Sequence, residues 1–401
     1  MADFLTAAEA ARRLGVKPAT LYAYVSRGVL TRARAADGRA SLFSADEVDR
    51  LARKGRPRRP AGTLEITVES AITELTADSL RFRGLDATRL AVSWTFEEVA
   101  ELLWTGELRP AAEPWQARPA ALAAGRAAQA ALPAGTLPLE RLQVIVPAMA
   151  ATDPLRLQLD PSAVVAAGRN VIAGMVDCLP PVAAESAEGP VAVRLWTRLC
   201  GHRASPGLLH ATSAALVLLA DHELAASTLA ARAAASVRAD PYAVVGTGLG
   251  AVSGALHGGA SLGAETLLAA ASGPGDVPRV VAELLRRGEK VPGFGHFVYR
   301  GGDPRATVLL DLVRRAAPKS GQLAVAEAVL AEVRQKSLPE PNIDFALATL
   351  AQVAGMVRGA GEAIFAVSRT AGWVAHALEA YSGPGPLRPR AVYTGRPATR
   401  L

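Results

Sequence analysis

Cysteine and histidine are scarce in this chain of 401 residues, which has two cysteines and six histidines. Cys178 and Cys200 form no CxxC pair and have no spacing typical of zinc ligands, so the sequence predicts neither a disulfide framework nor a bound metal. No apolar run is long and unbroken enough to span a bilayer, and the first residues lack the pattern of a secretory signal. We therefore expect a soluble, cytoplasmic protein without a membrane partner.

Charged residues are also few, at 20% against 50% hydrophobic, which is typical of a well-buried globular protein. The length exceeds that of one ordinary core, so we expect two or three domains. The net charge of +7 is uneven, because residues 1–60 hold 13 Lys/Arg and 6 Asp/Glu, whereas residues 61–401 hold 31 of each. The excess positive charge favours an anionic partner for the N-terminal segment alone.

This N-terminal segment has the pattern of two short helices around a tight turn. A capping box at residues 6–9 opens the first helix, and Pro18 suits the first turn of the second. Asp37-Gly38 predicts a hairpin between basic flanks, and residues 44–47 predict the start of a third helix. The order of elements resembles the winged helix-turn-helix module of the mercury-resistance-regulator family over residues 4–54.

In such modules the second helix enters the major groove of DNA and the wing contacts phosphate. The resemblance therefore implies seven candidate DNA contacts: Lys17, Thr20, Tyr22, Arg27, Arg32, Arg34 and Arg39. The second helix carries no Asn, Gln or Arg to recognise base edges, so a docking module that does not bind DNA is the alternative. We assign residues 1–54 to this module and the basic, proline-rich residues 55–60 to an exposed linker.

The remainder of the chain is predicted to be mostly helical. From about Ser70 onward, segments rich in Ala, Leu, Val and Arg alternate with Pro or Gly clusters, and residues 64–68 are the main candidate for a strand. The glycine-rich residues 246–250 do not fit the GxGxxG dinucleotide motif, and we interpret them as a place of close helix packing. No GxxxxGK[ST] phosphate loop is present, so nucleotide hydrolysis is unsupported.

Three histidines lie in short segments that also contain acids or glycines. His222 stands in Asp-His-Glu, His257 in Gly-Ala-Leu-His-Gly-Gly-Ala, and His296 in Val-Pro-Gly-Phe-Gly-His, which continues to Asp-Pro-Arg-Ala at residues 303–306. A further segment, Pro-Asn-Ile-Asp-Phe, holds Asp344 between apolar neighbours. Because histidine titrates near neutrality, these segments indicate a site that handles protons.

The motifs around His257, His296 and Asp344, in this order, make the body resemble citrate synthase over nearly its whole length. The resemblance implies an all-α fold with a large domain at residues 61–258 and 356–401. A small domain at residues 259–355 would close over the substrates.

The implied reaction condenses acetyl-CoA with oxaloacetate and water to give citrate and CoA, with the thioester as co-substrate and no cofactor. Asp344 would be the base that removes a proton from the acyl methyl group, and His257 would hydrogen-bond the thioester oxygen. His296 would polarise the keto carbonyl of oxaloacetate. An enolate needs both a base and stabilisation of its oxygen, which accounts for this set of side chains.

Planar guanidinium groups suit the carboxylates of oxaloacetate. The resemblance assigns this task to Arg305 and Arg369, with His222 completing the pocket and Arg388 reaching in from a second subunit of a homodimer. For CoA it implies contacts at Gly293, Gly295, Arg300 and Asn342.

Each assignment has a structural alternative when it is taken singly. Asp344 could cap the helix that follows it, His222 could be a buried hydrogen-bonded histidine, and the arginines could form surface ion pairs. Many relatives have His and Asn where Leu219 and Ala225 stand, so the keto-acid pocket has fewer polar neighbours here.

Two alternatives concern the function as a whole. A 2-methylcitrate synthase would use propionyl-CoA, and a pocket discriminates one methylene by only about 1–3 kcal/mol. The other alternative is a DNA-binding regulator whose body senses CoA esters or citrate.

Overall fold

The computed structural model divides the chain into two compact units, Met1–Val68 and Glu69–Leu401. The residues that it describes are 4–14, 16, 20–21, 24–25, 29–34, 41–45, 47–48, 51, 67–110, 113–183, 188–383 and 385–389.

The first unit contains a small antiparallel sheet of three strands. β1 (Phe4–Thr6), β2 (Arg32–Arg34) and β3 (Ser41–Ser44) lie in the order β1-β3-β2. α1 (Ala7–Leu14) begins at the predicted capping box, since Glu9 Oε2 accepts from the Thr6 N–H at 2.9 Å. The predicted first helix is therefore confirmed.

The hairpin and the DNA-contact candidates of this unit are only partly described. β2 and β3 pair antiparallel on either side of the predicted turn, as a hairpin requires. Thr20 is helical and half-buried, Arg32 is exposed on β2, and the backbone of Arg34 ends that strand. The other calls lie outside the described residues, namely Lys17, Tyr22, Arg27, Arg39, Asp37-Gly38 and the linker at 55–60.

The second unit is predominantly helical, which confirms the all-α prediction for the body. Its helices are α2 (Ala87–Ser93), α3 (Phe96–Thr105), α4 (Pro119–Ala130), α5 (Pro138–Ala150), α6 (Pro161–Cys178), α7 (Val191–Leu199), α8 (Pro206–Leu219), α9 (Ala226–Ser236), α10 (Pro241–Val252), α11 (Gly259–Ala269), α12 (Val277–Arg286), α13 (Pro304–Ala316), α14 (Gly321–Gln335), α15 (Ile343–Ala354) and α16 (Ala360–Ser382). A short 3-10 helix at Pro274–Asp276 precedes α12. The division of this unit into a large and a small domain stays a prediction.

A second small sheet lies near the start of this unit. β4 (Thr73–Leu75), β5 (Leu80–Phe82) and β6 (Leu85–Asp86) form an antiparallel meander. The strand expected at residues 64–68 is not found at 67–68, the two of these residues that are described. The observed strands have two or three residues each, too few to produce a clear alternating pattern.

α16 is the core helix of the second unit and is buried from residue 360 to residue 377. A helix that is apolar on nearly every face suits such a position. A Cβ added at Gly248 of α10 would lie 2.5 Å from the ring of Trp373 on α16. The predicted close helix packing is thus confirmed at Gly248, whereas Gly246 and Gly250 have no atom within 4 Å of an added Cβ.

No helix in the described part of the chain is long and apolar enough to cross a membrane. Among the same residues, no group of three or more His, Cys, Asp or Glu side chains is arranged to hold a metal ion.

Candidate active site

One cavity of the second unit brings together side chains from all four motif segments. Its volume is about 490 Å³. The predicted site residues that line it are His222, His257, Gly295, His296, Arg305, Asn342, Asp344 and Arg369. A larger cavity of about 970 Å³ around Arg118 and Asp153 contains none of the predicted site residues, so the smaller cavity is the candidate site.

Asp344 is the second residue of α15, and Asn342 caps that helix. The Asn342 Oδ1 accepts from the N–H groups of Asp344 at 3.0 Å and Phe345 at 3.4 Å, so the alternative that Asp344 is the cap is wrong. Asp344 Oδ1 is buried and has no hydrogen-bond partner. Burial raises the pKa of Asp344 to about 7, although Arg305 and Arg369 oppose the shift. An unpartnered carboxylate that titrates near neutrality is suited to act as a base.

His257 lies in the turn between α10 and α11, and its Nε2 faces Ser227. The Ser227 N–H donates to Nε2 at 3.3 Å, and the Ser227 hydroxyl lies 2.8 Å from the same atom. We assign the ring proton to Nδ1, because Nε2 must accept from a backbone N–H. Burial and the charge of Arg369 lower the pKa of His257 to about 4. At neutral pH this ring is therefore an uncharged donor through Nδ1.

His296 has the opposite tautomer. Its Nδ1 accepts from the N–H groups of Val298 at 3.0 Å and Tyr299 at 3.2 Å, which assigns the proton to Nε2. Burial, with Arg305, lowers the pKa of His296 to about 4. The Arg305 Nη2 lies 3.4 Å from His296 Nε2, and a guanidinium has no acceptor. Two donors thus converge on one region, where an oxygen of a ligand would satisfy both.

His222 is buried beside these groups. Its Nε2 lies 3.0 Å from the Tyr299 hydroxyl, and its ring centroid is 5.3 Å from that of His296. Burial and the nearby charges of Arg305 and Arg369 lower the pKa of His222 well below its ordinary value. His222 is thus a buried, hydrogen-bonded histidine that also lines the cavity as a neutral ring.

Arg305 and Arg369 are 3% and 1% exposed, so the alternative that they form surface ion pairs is wrong. Arg305 binds Asp303 through two bonds, from Nε at 3.0 Å and from Nη2 at 2.8 Å. Arg369 donates from Nε to the Leu219 carbonyl at 2.7 Å, while its Nη1 is buried without a partner. Burial lowers the pKa of Arg369 to about 10, which leaves it charged at neutral pH. An unpaired buried donor on a cation indicates an anionic ligand.

The residues predicted to bind CoA have clear structural partners. Gly293 and Gly295 have φ of +82° and +84°, and a Cβ at Gly293 would lie 2.8 Å from the Cβ of Phe345. The Asn342 Nδ2 donates to the Gly295 carbonyl at 2.9 Å, so both ends of this amide are engaged within the protein. Arg300 is exposed and outside the cavity lining. Their contacts with CoA stay predictions.

Arg388 is also exposed and does not line the cavity of its own chain. Its proposed role in a second subunit therefore stays a prediction.

Four residues of the site were missed by sequence reasoning. They are Ser227 beside His257, Tyr299 between His222 and His296, Asp303 beneath Arg305, and Phe365. The Phe365 ring lies 5.4 Å from that of His257 and 4.6 Å from the Arg369 guanidinium carbon. Asp303 stands in the quoted Asp-Pro-Arg-Ala segment, and Ser227 lies a few residues after the Asp-His-Glu segment, in the stretch compared with relatives, but neither was given a role. Nothing in the sequence alone assigns Tyr299 or Phe365 to the site.

The cavity of this helical body joins a carboxyl group with a pKa near neutrality, neutral histidine donors and buried guanidinium groups, which suits an enzyme that moves protons beside an anionic ligand. The family model described as citrate synthase, C-terminal domain, matches residues 63–390. The chain belongs to the citrate synthase family. A second family model, described as a helix-turn-helix domain, matches residues 4–56 and confirms that module, while the mercury-resistance-regulator type stays a prediction.

Individual relatives agree with this assignment. Citrate synthase 2 of Bacillus subtilis (strain 168) is 31% identical and covers 82% of this chain and 94% of its own length. The 2-methylcitrate synthase of Mycobacterium tuberculosis (strain ATCC 25618 / H37Rv) is 30% identical, with coverage of 85% and 91%. The solved structure of citrate synthase from Pyrobaculum aerophilum is 27% identical, covers 84% of this chain and 92% of that chain, and has a TM-score of 0.69.

Proposed function

We propose that this protein condenses acetyl-CoA with oxaloacetate and water to give citrate and CoA, with no cofactor beyond the thioester. The observation that carries the proposal is the environment of Asp344. Its pKa of about 7 and its unpartnered Oδ1 occur in the same cavity as two neutral histidine donors and two buried guanidinium groups. The family assignment supports the same chemistry.

In the proposed first step, ionised Asp344 takes a proton from the methyl group of the acyl thioester. The Nδ1–H of His257 donates to the thioester oxygen, which becomes an enol or enolate oxygen as the C–H bond breaks. A neutral imidazole suits this role because it supplies a donor without a net charge that would also bind other anions. Asp344 then holds the proton.

In the second step, the methyl-derived carbon attacks the keto carbon of oxaloacetate and forms the new C–C bond. The convergent donors His296 Nε2–H and Arg305 Nη2 would stabilise the keto oxygen as negative charge develops on it. This oxygen takes up one proton to become the hydroxyl group of the product, and Asp344 releases the proton that it holds, so the protons balance. Water then cleaves the thioester of the condensed product, which releases citrate and the free thiol of CoA.

The carboxylates of oxaloacetate are proposed to bind Arg305 and Arg369, with His222 completing the pocket. The unpartnered Nη1 of Arg369 supports this assignment. Arg388 is exposed in its own chain, as a residue that serves a partner subunit must be. We therefore propose a homodimer with shared active sites, in which the small helical domain closes over both substrates.

Propionyl-CoA is the second candidate donor, because a 2-methylcitrate synthase matches this chain almost as well as a citrate synthase does. The test is thiol release from acetyl-CoA and propionyl-CoA in parallel, with and without oxaloacetate. Release that requires oxaloacetate supports condensation, and the ratio of the two kcat/KM values identifies the donor. A folded protein that releases no thiol from either ester would contradict the proposal.

A regulatory function is a second candidate, favoured by the helix-turn-helix match and by the net charge of +7 in residues 1–60. It would use the body as a sensor of CoA esters or citrate. Binding to duplex DNA tests it separately from catalysis, and the two functions are compatible in one chain.

A further inference from the structure

Asp221 is a fully buried carboxylate that lies behind the cavity, immediately before His222 in the chain. It is absent from the residues that line the cavity. Its Oδ2 accepts from the Thr73 hydroxyl at 2.6 Å and from the Glu223 N–H at 3.1 Å. Its Oδ1 has no hydrogen-bond partner. A buried carboxylate is costly unless its charge is compensated, so its neighbours indicate what it does.

The turn that carries His222 contains a strained residue and is held by a hydrogen bond on each side of His222. Glu223 has φ of +53°, in the left-handed region that residues with a side chain rarely adopt. The bond from the Glu223 N–H to Asp221 holds this conformation, and the Ala220 carbonyl accepts from the Gly372 N–H at 2.9 Å. His222 therefore lies between two anchored positions, and the Asp221 carboxylate is one of the anchors.

One face of α16 supports this turn. Arg369, Gly372, His376 and Glu379 are spaced at i, i+3, i+7 and i+10, which places them along the same side of the helix. A Cβ at Gly372 would lie 2.2 Å from Asp221 Oδ1, so only glycine leaves room for the carboxylate.

His376 orients the carboxylate from the same face. The Arg232 Nη1 lies 3.0 Å from His376 Nδ1, and because a guanidinium only donates, Nδ1 must accept and Nε2 carries the proton. That Nε2 lies 3.4 Å from Asp221 Oδ2. Arg232 is in turn held by Glu379 at 2.7 Å. The carboxylate is thus fixed by a continuous polar network.

Asp221 also compensates the charge of Arg369. Burial alone would raise the pKa of Asp221, but His376, Arg369 and Thr73 together hold it below its ordinary value, so the carboxylate is ionised at neutral pH. Burial lowers the pKa of Arg369, and Asp221 is the first of the groups that oppose this shift.

We propose that Asp221 is a positioning residue for the keto acid: without touching it, Asp221 holds the turn that places His222 at the cavity wall, against the face of α16 that also carries Arg369. This inference rests on the proposed binding of oxaloacetate and adds a residue through which that binding is controlled. It predicts that loss of the carboxylate weakens oxaloacetate binding far more than it affects the acyl-CoA.

The experiment compares wild type with Asp221→Asn, which keeps the shape of the side chain and removes its charge. Calorimetric titration with oxaloacetate alone should give a Kd raised about tenfold or more, since the neutral amide oxygen accepts the Glu223 N–H bond more weakly than a carboxylate and carries no charge to offset the buried cations nearby. In thiol release, the KM for the acyl-CoA should change by less than about twofold, because its proposed contacts are elsewhere. Asp153→Asn is the matched control, as Asp153 is another buried carboxylate that pairs with an arginine but lies outside the candidate site.

Thr73→Val provides a second variant if Asp221→Asn does not fold. It removes one donor to Asp221 Oδ2 and keeps the charge, so we expect a smaller rise of the oxaloacetate Kd, about twofold to fivefold. An unchanged oxaloacetate Kd in Asp221→Asn, or in Thr73→Val when Asp221→Asn is unfolded, would overturn the inference. An equal rise in Asp153→Asn would do the same, since it would show a general effect of stability. If wild type binds no oxaloacetate, the proposed function fails instead.

Discussion

Asp344 and Glu362 are two carboxyl groups whose pKa burial raises to about 7. Asp344 faces the cavity, whereas Glu362 lies in the first turn of α16 near Glu265 and Glu140, and it is outside the cavity lining. A raised pKa therefore does not identify the base without the geometry. The pair also provides a variant and its matched control.

We predict that Asp344→Asn lowers the rate of thiol release by about 10²–10⁴, because general-base assistance is lost while the shape of the cavity is kept. Glu362→Gln should stay within about threefold of wild type, since its carboxyl group is not in contact with the proposed substrates. Both rates are measured at saturating substrate, with circular dichroism to verify folding. A fully active Asp344→Asn would rule out this residue as the base.

The pH dependence of kcat/KM should reflect the same carboxylate. The ionised form of Asp344 is the active one, so the rate should fall about tenfold per pH unit below its pKa of about 7 and level off above it. His257 and His296 have pKa values lowered to about 4, so both rings stay neutral near pH 7 and should not add a second change of kcat/KM there. Initial rates of the Glu362→Gln variant should show the same fall of kcat/KM below pH 7 as wild type. If the acidic fall of the rate shifts along the pH axis in Glu362→Gln, then Glu362 and not Asp344 is the group whose titration controls the rate.

Sequence reasoning reached these residues through motif resemblance, and its limits follow from how the contacts form. His257 and Asp344 were predicted because their segments are distinctive. Ser227 and His257 are 30 residues apart in the sequence. Their contact depends on how α9 packs against the turn after α10. Periodicity describes one element at a time, so it contains no information about such a meeting.

At the scale of elements, the loop that contains Gly293 fixes the start of α15. The Gly293 carbonyl accepts from the Asn342 N–H at 2.9 Å. Phe294 then pairs with Pro341 in an isolated β-bridge. The proposed base thus depends on a loop some fifty residues away in sequence, in which Gly293 packs directly against the backbone of Phe345.

We predict that Gly293→Ala lowers both stability and thiol release, because the new Cβ would overlap Phe345 and displace Asp344 beside it. Gly84→Ala is the control, since Gly84 has a φ of +84° but no atom within 4 Å of the added Cβ. Both substitutions place a side chain at a positive φ, which should destabilise each variant by about 1–2 kcal/mol. Only Gly293→Ala should also lose activity, by about tenfold or more. Thermal unfolding and thiol release measure the two effects. Equal activity in the two variants would contradict this coupling.

Elements differed in how far the sequence predicted them. Helices such as α16 were expected from composition and length, whereas β1, β4, β5 and β6 were not. Each of these strands has three residues or fewer, and pairing with a neighbour defines it more than its own pattern does. In the first unit, the Glu47 carboxylate accepts from the Thr31 N–H at 2.8 Å, a long-range contact that the local capping motif at residues 44–47 could not reveal.

At the scale of the whole molecule, the charge is divided between a basic N-terminal segment and a neutral remainder. If the first unit binds DNA, the affinity must come from cations within residues 1–60. Exposed arginines elsewhere, such as Arg109, then serve as controls of equal charge.

We predict that affinity for duplex DNA falls steeply as the salt concentration rises. Arg32→Glu should weaken binding about tenfold, while Arg109→Glu leaves it nearly unchanged. Fluorescence anisotropy at several salt concentrations measures this, with thiol release as a check that the body is intact. Equal weakening by both substitutions, or no binding at low salt, would favour the docking alternative.

The position of α16 in the chain has a consequence for biosynthesis. This helix is the core against which the earlier helices pack, yet it begins at residue 360. A ribosome has therefore released nearly all of the body before the surface that buries α3, α6, α8, α9 and α10 exists. Those apolar faces stay uncovered until α16 has been synthesised, so folding of the body should be largely post-translational.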